Sequence, residues 1–180
     1  MLRTKLDHQI EAVAAWREVF GQLTPRFIRQ FETWMERNSQ PWKIVWVSWQ
    51  QTGDGLEGKS QSSALAVLKQ TPRSLNAVVD PKTATGKAGL IFGFESDQSF
   101  SVWQLRGPGE VRLVHRVNGQ WTGTQSFKLP PREGATTLSL AIVGGSVALG
   151  VNGMEITRTQ AAGQVGLYVE DGKARFRLGK

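Results

Sequence analysis

Two acidic residues, Glu95 and Asp97, stand two positions apart in the strand-rich part of the sequence. Side chains two positions apart on a β-strand point to the same side, and glycoside hydrolysis needs two carboxylates that face one cleft. This pair, however, lies in the polar sequence Glu95-Ser96-Asp97-Gln98 between two apolar runs, which predicts a hairpin turn. We therefore expect both acids to be turn residues, and the sequence predicts no catalytic residue.

Other reactive side chains are few. The chain has no cysteine and two histidines, His8 and His115, which excludes disulfides and histidine-rich or cysteine-ligated metal sites. His115 is expected to be a partly buried, hydrogen-bonded residue of a strand. Residues 53–60 match the spacing G-x-x-x-x-G-K-S, but a phosphate loop joins a parallel strand to a helix, and the sequence after Ser60 leads into a β-rich region. The sequence predicts no metal and no cofactor.

Residues 5–37 have the period of an amphipathic helix, within an N-terminal extension that spans residues 1–41. The apolar residues fall three or four positions apart in two stripes, separated by Gly21 and by the helix-start pair Thr24-Pro25. The stripes are Leu6, Ile10, Val13, Trp16 and Phe20, and Phe27, Ile28, Phe31, Trp34 and Met35. This segment predicts an N-terminal α-helical extension whose stripes bind a protein partner, with Leu6, Ile10, Val13, Trp16, Phe20, Phe27, Phe31 and Trp34 as the contact residues.

From Trp42 onward the apolar residues alternate with a period of two, which indicates β-strands. The run WKIVWVSWQ is the first predicted strand. Short β-rich runs then alternate with turn signals that tolerate positive φ angles. These signals are Asn118-Gly119, Gly144-Gly145, Asn152-Gly153 and Asp171-Gly172. We predict four hairpins there, with Glu170 and Asp171 also in a turn, and hence a mainly β, antiparallel sandwich or barrel over residues 42–180.

Three runs of this region resemble a known superfamily. They are GKAGLIFGFESDQSFSVWQLRGPGEVRLVHRVNGQW, LSLAIVGGSVALGVNGMEI and GQVGLYVEDGKARFRL. They are similar to the concanavalin A-like lectin/glucanase jelly roll, and most of all to laminin-G-like and 3-keto-disaccharide hydrolase-like domains. The resemblance implies a jelly-roll β-sandwich over residues 42–180, but it does not choose among lectins, hydrolases and inert modules.

Jelly-roll lectins stack an exposed aromatic ring on a sugar, while polar side chains bind the hydroxyl groups. This implies a ligand site made of Trp103, Gln104, Arg106, Arg112, Trp121 and Tyr168. The alternative is that these aromatic residues pack inside the protein. Phe100 and Val102 share one face of their strand and Trp103 and Leu105 the other, so the strand should be covered on both sides.

The net charge of +7 favours acidic partners, but no dense Lys/Arg cluster indicates nucleic acid. Three functions stay open at this point. The first is a non-catalytic interaction module, as an accessory or scaffolding subunit. The second is a carbohydrate-binding, lectin-like domain with a glycan partner. The third is a glycoside-acting hydrolase, disfavoured by the missing carboxylate pair. We expect a cytoplasmic protein, with a peripheral position at a membrane complex as a further option.

Overall fold

A computed structural model describes residues 41–46, 49–52, 55–80, 84–107, 109–130 and 134–179. In this part of the chain every regular element is a β-strand. The strands are β1 (Trp42–Trp46), β2 (Trp49–Thr52), β3 (Gly55–Leu68), β4 (Ser74–Val79), β5 (Thr85–Ser96), β6 (Ser99–Leu105), β7 (Glu110–Val117), β8 (Gln120–Lys128), β9 (Thr136–Val143), β10 (Ser146–Val151), β11 (Met154–Gln160) and β12 (Gln164–Leu178).

The two longest strands, β3 and β12, take part in two sheets. The first half of β12 lies between β3 and β5, and the sheet continues through β6 and β7 to β8; we call this sheet I, with β1 on its other edge. The second half of β12 pairs with β4, followed by β9, β10 and β11; this is sheet II, with β2 on its other edge. All described pairings are antiparallel.

The inner faces of the two sheets share one hydrophobic core. Leu90, Phe92 and Trp103 of sheet I belong to the same buried cluster as Leu140 and Leu149 of sheet II. A hydrogen bond of 3.0 Å from Nε1 of Trp103 to the carbonyl oxygen of Gly150 joins β6 to β10 across this core. The two sheets therefore form a sandwich, in which burial of apolar area is the main stabilising contribution.

Sheet I also carries a second buried cluster on its outer face, the face that points away from sheet II. Val45 and Trp46 of β1 pack against this cluster. Its buried members are Leu65, Val67, Ile91, Phe94, Phe100, Val102 and Tyr168. The two-sided burial predicted for β6 is confirmed, because Phe100 and Val102 lie in the outer cluster while Trp103 and Leu105 lie in the sandwich core.

Three of the four predicted hairpin turns are confirmed. Asn118-Gly119 joins β7 to β8, Gly144-Gly145 joins β9 to β10, and Asn152-Gly153 joins β10 to β11. In each pair both residues have positive φ angles, between 49° and 83°. That geometry matches the right-handed twist of the flanking strands. The turn between β5 and β6 is shorter than predicted: Asp97 and Gln98 form it, whereas Glu95 and Ser96 still belong to β5, so the assignment of Glu95 to the turn is wrong.

The fourth predicted hairpin, at Asp171-Gly172, is wrong. QVGLYV and KARFRL belong to one strand, β12, and the register with β3 shifts between Glu170 and Gly172. Asp171 does adopt a positive φ of 54°, but it does so in a β-bulge. The sequence signal marks the local backbone conformation, and that conformation occurs in bulges as well as in turns. Glu170 is therefore a strand residue and not a turn residue.

The run WKIVWVSWQ contains parts of two strands rather than one. β1 pairs with Leu65–Leu68 of β3, whereas β2 pairs with Gly55–Gly58 of the same strand. Gly58, Lys59 and Ser60 of the phosphate-loop-like match lie inside β3, which continues as a strand to Leu68. A strand in this position is not the start of the helix that a phosphate loop requires.

The predicted helices of residues 1–41, with their eight partner-binding residues, lie outside the described residues and stay a prediction, as does the division into 1–41 and 42–180. Within the described residues, no helix has the length and apolar character needed to cross a membrane.

Candidate functional site

The outer face of sheet I carries a cluster of aromatic side chains centred on Phe100. The ring centroid of Phe100 lies 5.9 Å from Trp46, 5.7 Å from Trp121 and 6.3 Å from Tyr168. Phe100, Arg116 and Trp121 are paired across β6, β7 and β8, so the register itself brings them together. Trp121 is 43% exposed, and its ring forms T-shaped pairs with Phe100 and Tyr168, at centroid distances of 5.7 and 6.0 Å. Trp121 thus offers an accessible ring on a rigid support.

Arg116 lies between two of these rings. Its guanidinium carbon is 5.2 Å from the ring centroid of Trp46 and 5.4 Å from that of Trp121. Such cation–π contacts favour a cation that has lost part of its hydration. Nε of Arg116 is buried and has no hydrogen-bond partner in the described part of the chain. We call Arg116, Trp46 and Trp121 the Arg116 cluster.

A polar network lies on the same face, and its side chains come from β3, β5, β6 and β12. Glu170 accepts hydrogen bonds from Nζ of Lys87 at 2.7 Å and from Nε2 of Gln104 at 3.0 Å. It also accepts one from the hydroxyl of Tyr168 at 3.3 Å, and that hydroxyl lies 3.1 Å from Oγ of Ser63. Both oxygens of the Glu170 carboxylate are therefore engaged, which stabilises the negative charge in a half-buried position.

Gly89 makes this network possible. It lies between Tyr168 and Gln104 in the row of paired residues across β12, β5 and β6. A Cβ atom at this position would lie 2.8 Å from a methyl group of Val102 on the outer face and 2.7 Å from the carbonyl oxygen of Trp103. Because glycine leaves this space open, the Gln104 side chain reaches across β5 to Glu170 on β12.

Two ionisable groups of the outer face have shifted pKa values. Burial raises the pKa of the Tyr168 phenol above its ordinary value, and the nearby charge of Glu170 acts in the same direction, while the hydrogen bond with Ser63 opposes it. At the β7 end of the face, the hydrogen bond from Arg112 lowers the pKa of Glu110. Both side chains of this pair are partly exposed to solvent, so the pair contributes little to stability.

The six residues of the predicted ligand site separate into two groups. Gln104, Arg112, Trp121 and Tyr168 belong to the outer face, where the first two are paired in register. Arg106 is exposed just beyond the end of β6. Trp103 points the other way into the sandwich core and is 0% exposed, so it has no face to present to a ligand.

Tyr168 needs a second correction, because its ring is 0% exposed as well. It supports Trp121 and holds the Glu170 network, and it does not offer a stacking surface. Of the three aromatic residues in the predicted site, Trp121 alone has an accessible ring.

Three residues of this face were missed by reasoning from sequence: Trp46, Arg116 and Glu170. Glu170 was assigned to a turn because of the Asp-Gly pair after it. Arg116 lies two residues before the Asn118-Gly119 turn, and Trp121 lies two residues after that turn. In a two-residue hairpin these positions face each other, so this signal was available in the sequence.

The remaining candidates lie away from the outer face. Oγ of Ser101 and Nδ1 of His115 are 2.8 Å apart, and both residues are half-buried, as expected for a hydrogen-bonded strand histidine. Glu95 lies near the end of β5 and Asp97 in the turn after that strand. Among the described residues, no group of three or more histidine, cysteine or acidic side chains is placed to hold a metal ion.

Comparison with known proteins identifies the architecture. No family model and no curated protein sequence matches the chain. Among solved structures, the carbohydrate-binding module CBM66 from Bacillus subtilis covers 77% of this chain and 92% of its own length, with a TM-score of 0.63 and 18% identity. The β-glucanase of Bacillus licheniformis covers 76% and 89%, with a TM-score of 0.53 and 9% identity.

A third structure, the GH43 protein BlXynB from Bacillus licheniformis, matches over 77% of this chain but only 36% of its own, with a TM-score of 0.56 and 15% identity. At these identities the likeness concerns the fold alone. The predicted jelly-roll β-sandwich is confirmed.

Proposed function

We propose, from the concanavalin A-like jelly-roll fold that begins at Trp42, that this protein is a non-catalytic, lectin-like module that binds a glycan on the outer face of sheet I. The observation that carries the proposal is the accessible ring of Trp121, held edge-on by Phe100 and Tyr168. A ring fixed in this way loses little conformational entropy when a sugar stacks on it. The half-buried polar groups of Lys87 and Arg112 on the same face supply donors for hydroxyl groups.

The fold neighbours support this reading at a coarse level. One of them is described as a carbohydrate-binding module, one as a β-glucanase and one as a GH43 protein. Because one scaffold serves several functions, the choice among them depends on the side chains of the site.

A hydrolytic role is less well supported by the described side chains. Glycoside hydrolysis uses a carboxylic acid that gives its proton to the leaving group and a second carboxylate across the cleft. Glu170 is the enclosed acid of the outer face, and its carboxylate already accepts hydrogen bonds from Lys87, Gln104 and Tyr168. Both oxygens of this carboxylate are therefore already engaged by donors of the protein itself.

The proposal is tested by binding to a panel of soluble polysaccharides that includes a β-glucan, a xylan, a fructan, a neutral dextran, dextran sulfate and polygalacturonate. We expect at least one to bind and Trp121→Ala to weaken that binding by about tenfold or more, which corresponds to about 1.4 kcal/mol. Met154→Ala is the matched control, because Met154 is an exposed apolar residue on β11 of the other sheet. Absence of binding to every member, or equal binding by Trp121→Ala, would refute the proposal.

The role as an accessory or scaffolding subunit depends on residues 1–41 and remains a separate prediction. It is compatible with glycan binding, since the two roles use different parts of the chain.

A further inference from the structure

Three cationic side chains of the outer face differ in whether an acidic side chain pairs with them. Lys87 is paired with Glu170 at 2.7 Å and with Asp171 at 3.5 Å, and Arg112 is paired with Glu110. In the described part of the chain Arg116 has no acidic partner, although its guanidinium is packed between two tryptophan rings. The charges of Lys87 and Arg112 are thus balanced within the protein, while that of Arg116 is not.

The unpaired state of Arg116 has a cost. A guanidinium group carries five N–H donors, and a buried donor without a partner loses its hydration without compensation. The buried Nε of Arg116 is such a donor. The two cation–π contacts stabilise the charge, but they do not satisfy the in-plane N–H groups. Because Nε is buried, a planar anion from the solvent would pair with the two terminal nitrogens of the guanidinium.

The position of Arg116 is fixed by its surroundings. The two neighbouring turns are joined by a hydrogen bond of 2.8 Å from the amide of Gly119 to the carbonyl of Gln98. Nη2 of Arg116 lies near this junction, because it is 3.9 Å from the position that a Cβ atom on Gly119 would occupy. Arg116 is half-buried and adjoins the accessible ring of Trp121. The guanidinium is thus pre-organised next to the surface where a sugar is proposed to stack.

We propose that the glycan bound by this module is acidic, and that Arg116 binds its carboxylate or sulfate group while the sugar ring stacks on Trp121. The proposal rests on the proposed glycan-binding function and specifies the class of sugar. The charge of the molecule is consistent with it, because the net charge is +7 and a positive field attracts anionic polymers.

The test compares three probes on the full chain: polygalacturonate, which carries carboxylates, dextran sulfate, which carries sulfates, and neutral dextran. We expect one of the acidic polymers to bind at least about tenfold more tightly than neutral dextran, with an affinity that falls as salt is added. Preference for polygalacturonate identifies a carboxylate as the group bound, and preference for dextran sulfate identifies a sulfate.

Two variants assign the preference to Arg116. Arg116→Gln should abolish it, and Arg116→Lys, which keeps the charge but loses the paired donors, should reduce it by several-fold. Arg158→Gln is the matched control, because it removes the same charge from the exposed Glu155–Arg158 pair on β11. Thermal midpoints show whether each variant is folded, and Arg116→Lys keeps the test decisive if Arg116→Gln does not fold.

The outcomes separate the two proposals. Binding of neutral polymers from the wider panel that Trp121→Ala weakens, with no preference for acidic ones, would overturn the acidic ligand and leave the lectin-like function standing. A preference for acidic polymers that Arg158→Gln reduces as much as Arg116→Gln does would also overturn it, since a general charge effect would then explain the binding. Absence of binding to any polysaccharide would refute the glycan-binding function itself.

Discussion

Tyr168 is the single tyrosine of the chain, so the ionisation of its phenol reports on its environment without signal from another tyrosine. The phenol is buried on the outer face of sheet I and bonded to Ser63 and Glu170. Burial favours the neutral form over the phenolate, and a neighbouring carboxylate does the same. The position of this residue in the Glu170 network can therefore be tested without any ligand.

We predict that the Tyr168 phenol of the folded protein ionises well above the ordinary tyrosine pKa of about 10, because burial raises its pKa. Ultraviolet absorbance of the phenolate measures this, since Tyr168 is the one group of its kind; the urea-unfolded chain is the reference and Tyr168→Phe the blank. Ionisation of this phenol leaves the free energy of unfolding unchanged below about pH 10 and lowers it as the pH rises from there toward the folded-state pKa. Equal midpoints for the folded and unfolded chains would contradict the prediction.

Trp103 illustrates the opposite role for an aromatic residue. We predict that Trp103→Ala lowers the free energy of unfolding by about 3–5 kcal/mol, as expected for a large buried side chain. Trp103→Phe should cost less but still about 1–3 kcal/mol, because the Gly150 carbonyl loses its donor. Urea denaturation measures both. Trp121→Ala is the comparison, and the assignment of Trp103 to the core would fail if the two alanine variants were equally stable.

At the scale of elements, hairpins were the features most readily predicted from sequence. Asn118-Gly119 and Asn152-Gly153 are local signals, since the positive φ angles depend on the turn residues themselves. The bulge at Asp171 gives the same local signal, and only the long-range pairing of β12 with β3 distinguishes it from a hairpin. That long-range pairing does not follow from the local sequence. For the same reason the position of Glu170 on the outer face was not predicted.

The alternation of β6 was predictable because the side of a strand follows from a period of two. Which side faces sheet II was not predictable, and Trp103 was consequently assigned to a ligand site. Arg116 was missed although Trp121, which faces it across the β7–β8 hairpin, was named.

We predict that Gly153→Val destabilises the β10–β11 hairpin by about 1–2 kcal/mol or more, because a β-branched residue resists a positive φ. Gly153 has a φ of 83°, and no atom lies within 4 Å of the position of an added Cβ, so the strain comes from the backbone alone. Gly109→Val is the matched control, since that glycine also has space but no positive φ. Thermal melting measures both, and equal midpoints would argue against this explanation.

At the scale of the whole molecule, positive charge is unevenly distributed. Residues 42–180 carry sixteen basic and ten acidic residues, and residues 1–41 carry six and five, which together make the net charge of +7. The excess of six therefore lies in the jelly-roll part of the chain. The excess positive charge thus lies in the same part of the chain as the Arg116 cluster, as the proposed acidic ligand requires.

We predict that a chain truncated to residues 42–180 still unfolds in one cooperative transition and stays monomeric, because the sandwich core joins both sheets by itself. If residues 1–41 bind a protein partner, affinity purification with the full chain should recover that partner, and the truncated chain should lose it. Calorimetry and size-exclusion chromatography measure the first point. A much lower melting temperature or aggregation would instead assign the apolar stripes of residues 1–41 to contacts with their own domain.

The two-sheet role of β12 has a consequence for synthesis. β12 is the last of the described strands to leave the ribosome, and it pairs with β3, β4 and β5. Until β12 emerges, β3 lacks the strand that pairs with it along Gly55 to Val67. This part of β3 precedes β12 by about a hundred residues. Neither sheet can be completed before β12 has been synthesised. The nascent chain must therefore keep its unpaired strands from associating with other chains until β12 has emerged.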